Sequence, residues 1–223
     1  MIIRWHGQSA FTLTGREHTV AIDPFGVFPP DVSARFRFAY PPIEPHPADL
    51  LLVTHEHSDH TGVEAITGDP QVIRSTAGRF ESPVGEVVAV ASEHDATAGT
   101  DRGPNALFAF SLDGLRVAHL GDLGQSALRP EQRSALGDVD LLFVPVGGGP
   151  TLDAPAAAAI VRELAPAYAV PMHYRTPALD FLEPPDAFIA MFDDVHRAES
   201  SEWTVPDQRA PQIQIVVFQP PGA

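Results

Sequence analysis

The sequence predicts an α/β fold, organised as one domain over residues 1–223, and three observations predict it. Short apolar and β-branched runs alternate with helical stretches along the whole length. The run at 50–53, Leu-Leu-Leu-Val, is continuously apolar, as a central strand covered on both faces must be. No linker, repeat or shift of composition divides the chain. With 223 residues, 44% hydrophobic and 19% charged, it falls within the size of one large domain and needs no disulfide staple.

The elements follow in order. Residues 2–5, 10–14 and 18–22 read as strands, separated by Gly7 and Gly15. Residues 24–47 form a long proline-rich connection carrying Phe25, Phe28, Phe36, Phe38 and Tyr40. A connection of that length either carries function or is disordered, and its aromatics favour an ordered wall of a site. After the strand at 50–53, residues 63–67 suggest a short helix and 71–74 a strand. Strands recur at 86–91, 106–110, 115–119 and 141–144, with Asp113-Gly114 turning the chain between two of them. Residues 154–164 are alanine-rich and preceded by Thr151 and Asp153, which reads as a capped helix. A strand at 167–170, a helix at 185–192 and a closing strand at 212–218 complete the pattern.

Composition removes several function classes. There is no cysteine, so a thiol nucleophile, a zinc ribbon and an iron–sulfur cluster are excluded. There is no lysine either, which excludes Schiff-base and P-loop chemistry. A net charge of −15 argues against gripping a nucleic-acid polymer through its phosphates. The start carries no basic segment followed by an apolar one, and no apolar run reaches membrane-spanning length. The expectation is a cytoplasmic enzyme with no membrane partner, acting on a small molecule, with homo-oligomerisation left open.

The chemistry is concentrated in Thr54-His55-Glu56-His57-Ser58-Asp59-His60, directly after the strand at 50–53. Imidazole nitrogens mixed with carboxylate suit zinc, manganese or iron. A regular helix would turn His57 away from His55, Asp59 and His60, and a strand would exclude His60. A sharp loop can bring all four together. Further donors recur where predicted strands end: His94 in Glu93-His94-Asp95, Asp122 in His119-Leu120-Gly121-Asp122, and His173 in Pro171-Met172-His173.

These motifs resemble the metallo-β-lactamase superfamily over essentially the full chain, and within it the branch of L-ascorbate-6-phosphate lactonase-like, zinc-dependent hydrolases. The resemblance implies an αββα four-layer sandwich with two divalent metal ions, zinc foremost with manganese or iron as alternatives. It implies that His55, His57 and His94 hold the first ion, that Asp59, His60 and His173 hold the second, and that Asp122 bridges them with a hydroxide. That hydroxide would be the nucleophile toward a small, anionic ester, lactone or amide, with Asp59 carrying a proton to the leaving group. A small-nucleotide phosphodiesterase on the same donors is the alternative, as is a metal-binding protein without turnover. A diiron oxidoreductase of the same fold would carry glutamate where His57 stands. The branch also commonly shows Gly-His-Ser or Gly-His-Ala near its start, where this chain reads Trp5-His6-Gly7-Gln8-Ser9.

Several neighbours carry two readings. Tyr174 and Arg175 follow His173, and an arginine there would recognise an anionic group or form a structural pair. Asp95 would accept an imidazole N–H of His94 or be a simple surface acid. Residues 147–151, Gly-Gly-Gly-Pro-Thr, would hold an anion at a helix start or merely shape a turn. His119 is expected in the core or supporting the site from behind, facing away from Asp122.

Overall fold

The computed structural model describes residues 1–28, 37–97 and 99–222. Strands β1 (Ile2–Gly7), β2 (Ala10–Thr14) and β3 (Thr19–Ile22) form an antiparallel meander. β5 (Leu50–Val53) then runs parallel to β3, and β7 (Gln71–Arg74) parallel to β5. With β15 (Glu202–Thr204) against β1, these strands make a sheet in the order β15-β1-β2-β3-β5-β7. Between them, β4 (His46–Pro47) and β6 (Ile66–Thr67) form a separate two-stranded ladder.

The second sheet begins as a meander of β8 (Gly78–Ser82), β9 (Gly85–Glu93), β10 (Pro104–Leu112) and β11 (Leu115–His119). It continues in parallel through β12 (Leu141–Pro145), β13 (Tyr168–Met172), β16 (Gln214–Val217) and β14 (Val195–Arg197). The parallel steps are bridged by helices α1 (Pro130–Leu136), α2 (Ala154–Leu164) and α3 (Asp186–Ile189). α2 starts at Asp153, whose carboxylate accepts the Ala156 N–H at 2.9 Å, and it buries Ala157, Ala158, Ile160, Val161 and Leu164 in the main core.

The two sheets pack face to face. Phe11 on β2 meets Phe143 on β12 with ring centroids 4.4 Å apart, and both lie in one apolar cluster. On β3 and β5 the strand period of two sorts the side chains. Val20, Ile22, Leu50 and Leu52 enter that core, whereas Ala21, Leu51 and Val53 enter a smaller cluster with Ala48 and Ile66 on the other face. The unbroken Leu-Leu-Leu-Val run is therefore explained by cover on both sides.

Several boundaries differ from those expected. The stretch 63–67 is one 3-10 turn, Val63–Ala65, leading into β6, because Ile66 pairs with His46. Two of the described α-helices, Pro130–Leu136 and Ala154–Leu164, contact strands β9 and β12 of the second sheet. On the outer face of the first sheet, Ala21, Leu51 and Val53 pack with Ala48 and with Ile66 of β6. In the long connection, Phe25, Phe38 and Tyr40 pack with Leu179 and Leu182 into an ordered wall. Phe36 lies outside the described residues. No helix among the described residues is long and apolar enough to cross a membrane.

Candidate metal centre

Five strands release their chains at one rim of the sandwich, and each delivers a polar residue there. β3 gives Asp23, β5 gives Thr54 and the histidine loop, β9 gives His94, β11 gives Asp122 and β13 gives His173. The hairpin between β1 and β2 adds Gln8 and Ser9 from the side. Carboxyl ends of parallel strands are the usual place for such convergence.

Thr54 fastens the rim. Its N–H and hydroxyl donate to the two oxygens of Asp23 at 2.7 Å each, and its carbonyl accepts the Ala106 N–H from the other sheet at 2.9 Å. Because its hydroxyl proton goes to Asp23, the same oxygen accepts from His55 Nδ1, 3.0 Å away. That assigns the proton to Nδ1 and turns the lone pair of His55 Nε2 toward the cluster. His94 is set the same way, with Nδ1 donating to the Pro150 carbonyl at 3.1 Å. Glu56 points outward into a bidentate pair with Arg74 and a bond from Ser75 (2.6 Å), which pin the loop and lower its carboxyl to about 2.

Asp122 lies at the centre. Its Oδ2 is 3.0 Å from His173 Nε2, 3.2 Å from His94 Nε2, 3.3 Å from His60 Nε2 and 3.9 Å from His55 Nε2. Its Oδ1 accepts from Ser9 Oγ at 3.1 Å, and its backbone N–H donates to Asn105 Oδ1. His55 Nε2 and His57 Nδ1 face each other at 3.0 Å. Asp59 Oδ2 is 3.7 Å from His60 Nε2 and accepts from Gln8 Nε2 at 3.3 Å. Three groups have donor atoms within 4.8 Å of one another: His55 with His57 and His94, His55 with His60 and Asp122, and Asp59 with His60 and His173.

The electrostatics are those of donors short of positive charge. Burial and the neighbouring His60 push His55 well below its ordinary value, and burial also lowers His57. Burial opposes charge on His60 too, but Asp122, Asp23 and Asp59 outweigh it and raise its pKa strongly. Asp122 is held well below the carboxylate range against burial, by His173 and His60. Neither ring nitrogen of His60 and not Nδ1 of His173 finds a well-aligned hydrogen bond. Imidazole nitrogens turned toward each other and toward buried carboxylate oxygen match what divalent cations require.

The backbone is strained where the donors meet. Gln8 (φ 50°), Asp23 (φ 47°) and His173 (φ 50°) all occupy the left-handed region, which is costly for residues with a Cβ and concentrates at functional sites. The Gln8 carbonyl accepts from Trp5 Nε1 and from the His173 N–H, tying the two strained turns together. Gly121 allows a close approach: a Cβ there would lie 2.4 Å from Asn105 Oδ1 and 2.8 Å from Thr54 Cβ.

A cavity of about 300 Å³ opens over the cluster. His57, Asp59, His94, Asp122 and His173 form its floor, and Gln8, Phe28, Phe38, Pro150, Phe181 and Arg102 its walls. A smaller cavity of about 150 Å³ lies behind His55 and His57 and shares Arg102.

All seven expected donor residues thus converge, but the neighbours are placed differently. Tyr174 is buried in the core with its ring 5.4 Å from Trp5, and Arg175 spends its Nε–H on the Leu182 carbonyl at 2.5 Å; neither lines the cavity. Asp95 turns away from His94 and accepts from Thr97, Gly99, Asp101 and Arg102. The glycines at 147–149 shape a turn, and Asp153 already occupies the helix start. His119 is fully buried, its Nε2 donating to the Ser9 carbonyl and its Nδ1 accepting the Gly121 N–H, so it supports the rim from beneath. His6 pairs with Thr12 (2.8 Å) outside the cluster, and it is Gln8 that reaches Asp59. Asp23, Asn105, Ser9 and Arg102 also belong to the site, and the sequence motifs do not point to them. Asp23 repeats the pattern of an acid directly after a strand, whereas the other three carry no local signal.

Comparison with known proteins identifies the family. Residues 2–173 match the family model described as a beta-lactamase superfamily domain. A metal-dependent hydrolase of Thermoplasma acidophilum is 31% identical, over 78% of this chain and 83% of its own. A Pyrococcus furiosus protein is 33% identical, over 79% and 84%. A solved Thermotoga maritima structure, described as a zinc-dependent hydrolase of the metallo-β-lactamase superfamily, superposes with a TM-score of 0.77 at 28% identity, covering 98% of this chain and 99% of the other. The chain belongs to the beta-lactamase superfamily, as a metal-dependent hydrolase of the metallo-β-lactamase fold.

Proposed function

We propose that the chain binds two divalent ions, zinc foremost with manganese or iron as alternatives, and hydrolyses a small ester, lactone or amide rather than a nucleic-acid polymer. The observation that carries this reading is Asp122 Oδ2, within 4 Å of Nε2 on four histidines from three different strand ends. His55, His57 and His94 would hold one ion, Asp59, His60 and His173 the other, and Asp122 would lie between them. When bound, the ions would supply a water that ionises near neutral pH and a Lewis acid for the electrophilic oxygen.

The chain's own residues do the rest. Asp59 borders the cavity, with Gln8 orienting its Oδ2, so it can take a proton from the attacking water and return it to the leaving group. Asp23, Ser9 and Asn105 fix His60 and Asp122 against rotation. The aromatic walls shed water from the reacting group.

Metal content of the purified protein, measured by plasma mass spectrometry, tests the proposal. About two ions per chain, falling in His57→Ala, is the expected result, and little metal even after reconstitution would sink it. Turnover of lactones and esters against cyclic nucleotides at equal metal loading then separates carbonyl from phosphodiester substrates.

A further inference from the structure

The cavity above the cluster has an arginine in its wall, eight residues beyond His94. The segment carrying it is wound around one carboxylate. Asp95 accepts the N–H groups of Thr97 (2.9 Å), Gly99 (2.7 Å), Asp101 (3.1 Å) and Arg102 (2.9 Å), and the Thr97 hydroxyl as well. Burial would raise the Asp95 carboxyl, but these donors hold it far below its ordinary range. The Gly103 carbonyl closes the turn by accepting the His94 N–H at 3.2 Å. The backbone of Arg102 is thus fixed next to a proposed metal ligand, while its side chain is exposed and borders both the larger cavity and the smaller one behind His57.

Several arginines on this acidic surface are matched with carboxylates: Arg4 with Glu202, Arg74 with Glu56, Arg79 with Glu86, Arg129 with Glu93 and Arg209 with Asp140. Among the described residues, the exposed arginines without such a pair, Arg16, Arg162, Arg175 and Arg197, do not line the cavity. Arg102 forms no ion pair among the described residues, although acids outnumber basic residues 29 to 14. A guanidinium left unmatched at the mouth of a reaction cavity is free to take an anion from solution, and its planar fork fits a carboxylate. Phe28, Phe38 and Phe181 offer the remainder of such a molecule an apolar wall.

We propose that Arg102 selects the substrate by pairing with a carboxylate, so that the preferred substrate is a small ester or amide with an aromatic or aliphatic body and a carboxylate beyond the bond that is cut. The proposal rests on the hydrolase reading above, and its test separates the two. Phenyl acetate and para-acetoxybenzoate differ only in the carboxylate, and each takes up one water to give acetate and a phenol. The ratio of their kcat/KM values, para-acetoxybenzoate over phenyl acetate, should fall about tenfold in Arg102→Gln, ~1.4 kcal/mol. The change should be carried by KM, and Arg102→Lys should restore part of it. A second arm needs no turnover: calorimetric titration of para-hydroxybenzoate into metal-loaded and chelator-treated protein. Its Kd should weaken about tenfold in Arg102→Gln, and raised salt should weaken binding to the wild type more than to the variant. An unchanged ratio together with unchanged para-hydroxybenzoate affinity, including no binding to either protein, overturns the proposal. An equal fall on both esters with a lowered Tm overturns it too, since that marks a structural role. Arg102-dependent binding without turnover of either ester would support the recognition and count against the hydrolysis.

Discussion

The floor and the wall of the cavity are built on opposite terms. On the floor, Asp122, His94 and His173 are at most 2% exposed, and each is held through a neighbour: Ser9, the Pro150 carbonyl or the turn at Gln8. On the wall, Phe181 is 50% exposed and Arg102 is open to solvent. The floor's geometry is over-determined by five strand ends, whereas the wall rests on connections between strands. Rigid donors fix which chemistry is available, and the loops above decide which molecule receives it.

The largest effect should come from breaking the floor at its centre. Asp122→Ala removes the oxygen that four imidazoles face. Metal content should drop and turnover should vanish for every substrate, with far-UV circular dichroism unchanged. Retained metal and activity would show that the convergence is structural only.

One layer further out the loss should be smaller but equally indifferent to substrate. Asp23 receives two donors from Thr54 at 2.7 Å and lies 3.0 Å from His60 Nδ1. Asp23→Asn would turn an amide N–H₂ toward one of them. Metal affinity should weaken roughly 10–100-fold, as outer ligand supports usually do. Competition with a chromogenic chelator reads this directly, and an unchanged affinity would remove Asp23 from the site.

Gly121 tests the frame beneath both regions. Its φ of +53° and the 2.4 Å approach of Asn105 Oδ1 leave no room for a methyl group. Gly121→Ala should cost about 1–3 kcal/mol of stability in a denaturant titration, more than the same change at Gly137, where a Cβ meets nothing within 4 Å.

The contrast between floor and wall also explains what could be read from the sequence. The strands at 10–14, 50–53, 71–74 and 115–119 and the helix at 154–164 fall on the expected residues, because burial imposes periodicity that survives in the chain. The seven donors were visible because metal-binding chemistry restricts residue type and places each at a strand end. Arg102 carries no local signal in the sequence, whereas Arg175 reads either as an anion-recognising group or as a structural pair. Adjacency in sequence to His173 pointed to Arg175, but the fold turns that side chain to Leu182 while the Asp95-centred turn carries Arg102 to the mouth. β8, β14 and β15 were missed as well: β8 and β14 are short edge strands, and β15 pairs with β1 from nearly 200 residues away.

The smallest effect, and the one that sharpens the contrast most, belongs to the wall. Phe181→Ala removes a half-exposed ring from the cavity while leaving every floor contact in place. Only part of the ring's area shields a bound substrate, so about 1 kcal/mol should be lost, or roughly fivefold in KM. The loss should grow with the apolar size of the substrate, because a smaller group never reached the ring. Metal content and kcat should stay near the wild-type values, since neither depends on that ring. If metal content fell with KM, wall and floor would be one mechanical unit. Substrate choice could then not vary independently of the metal centre.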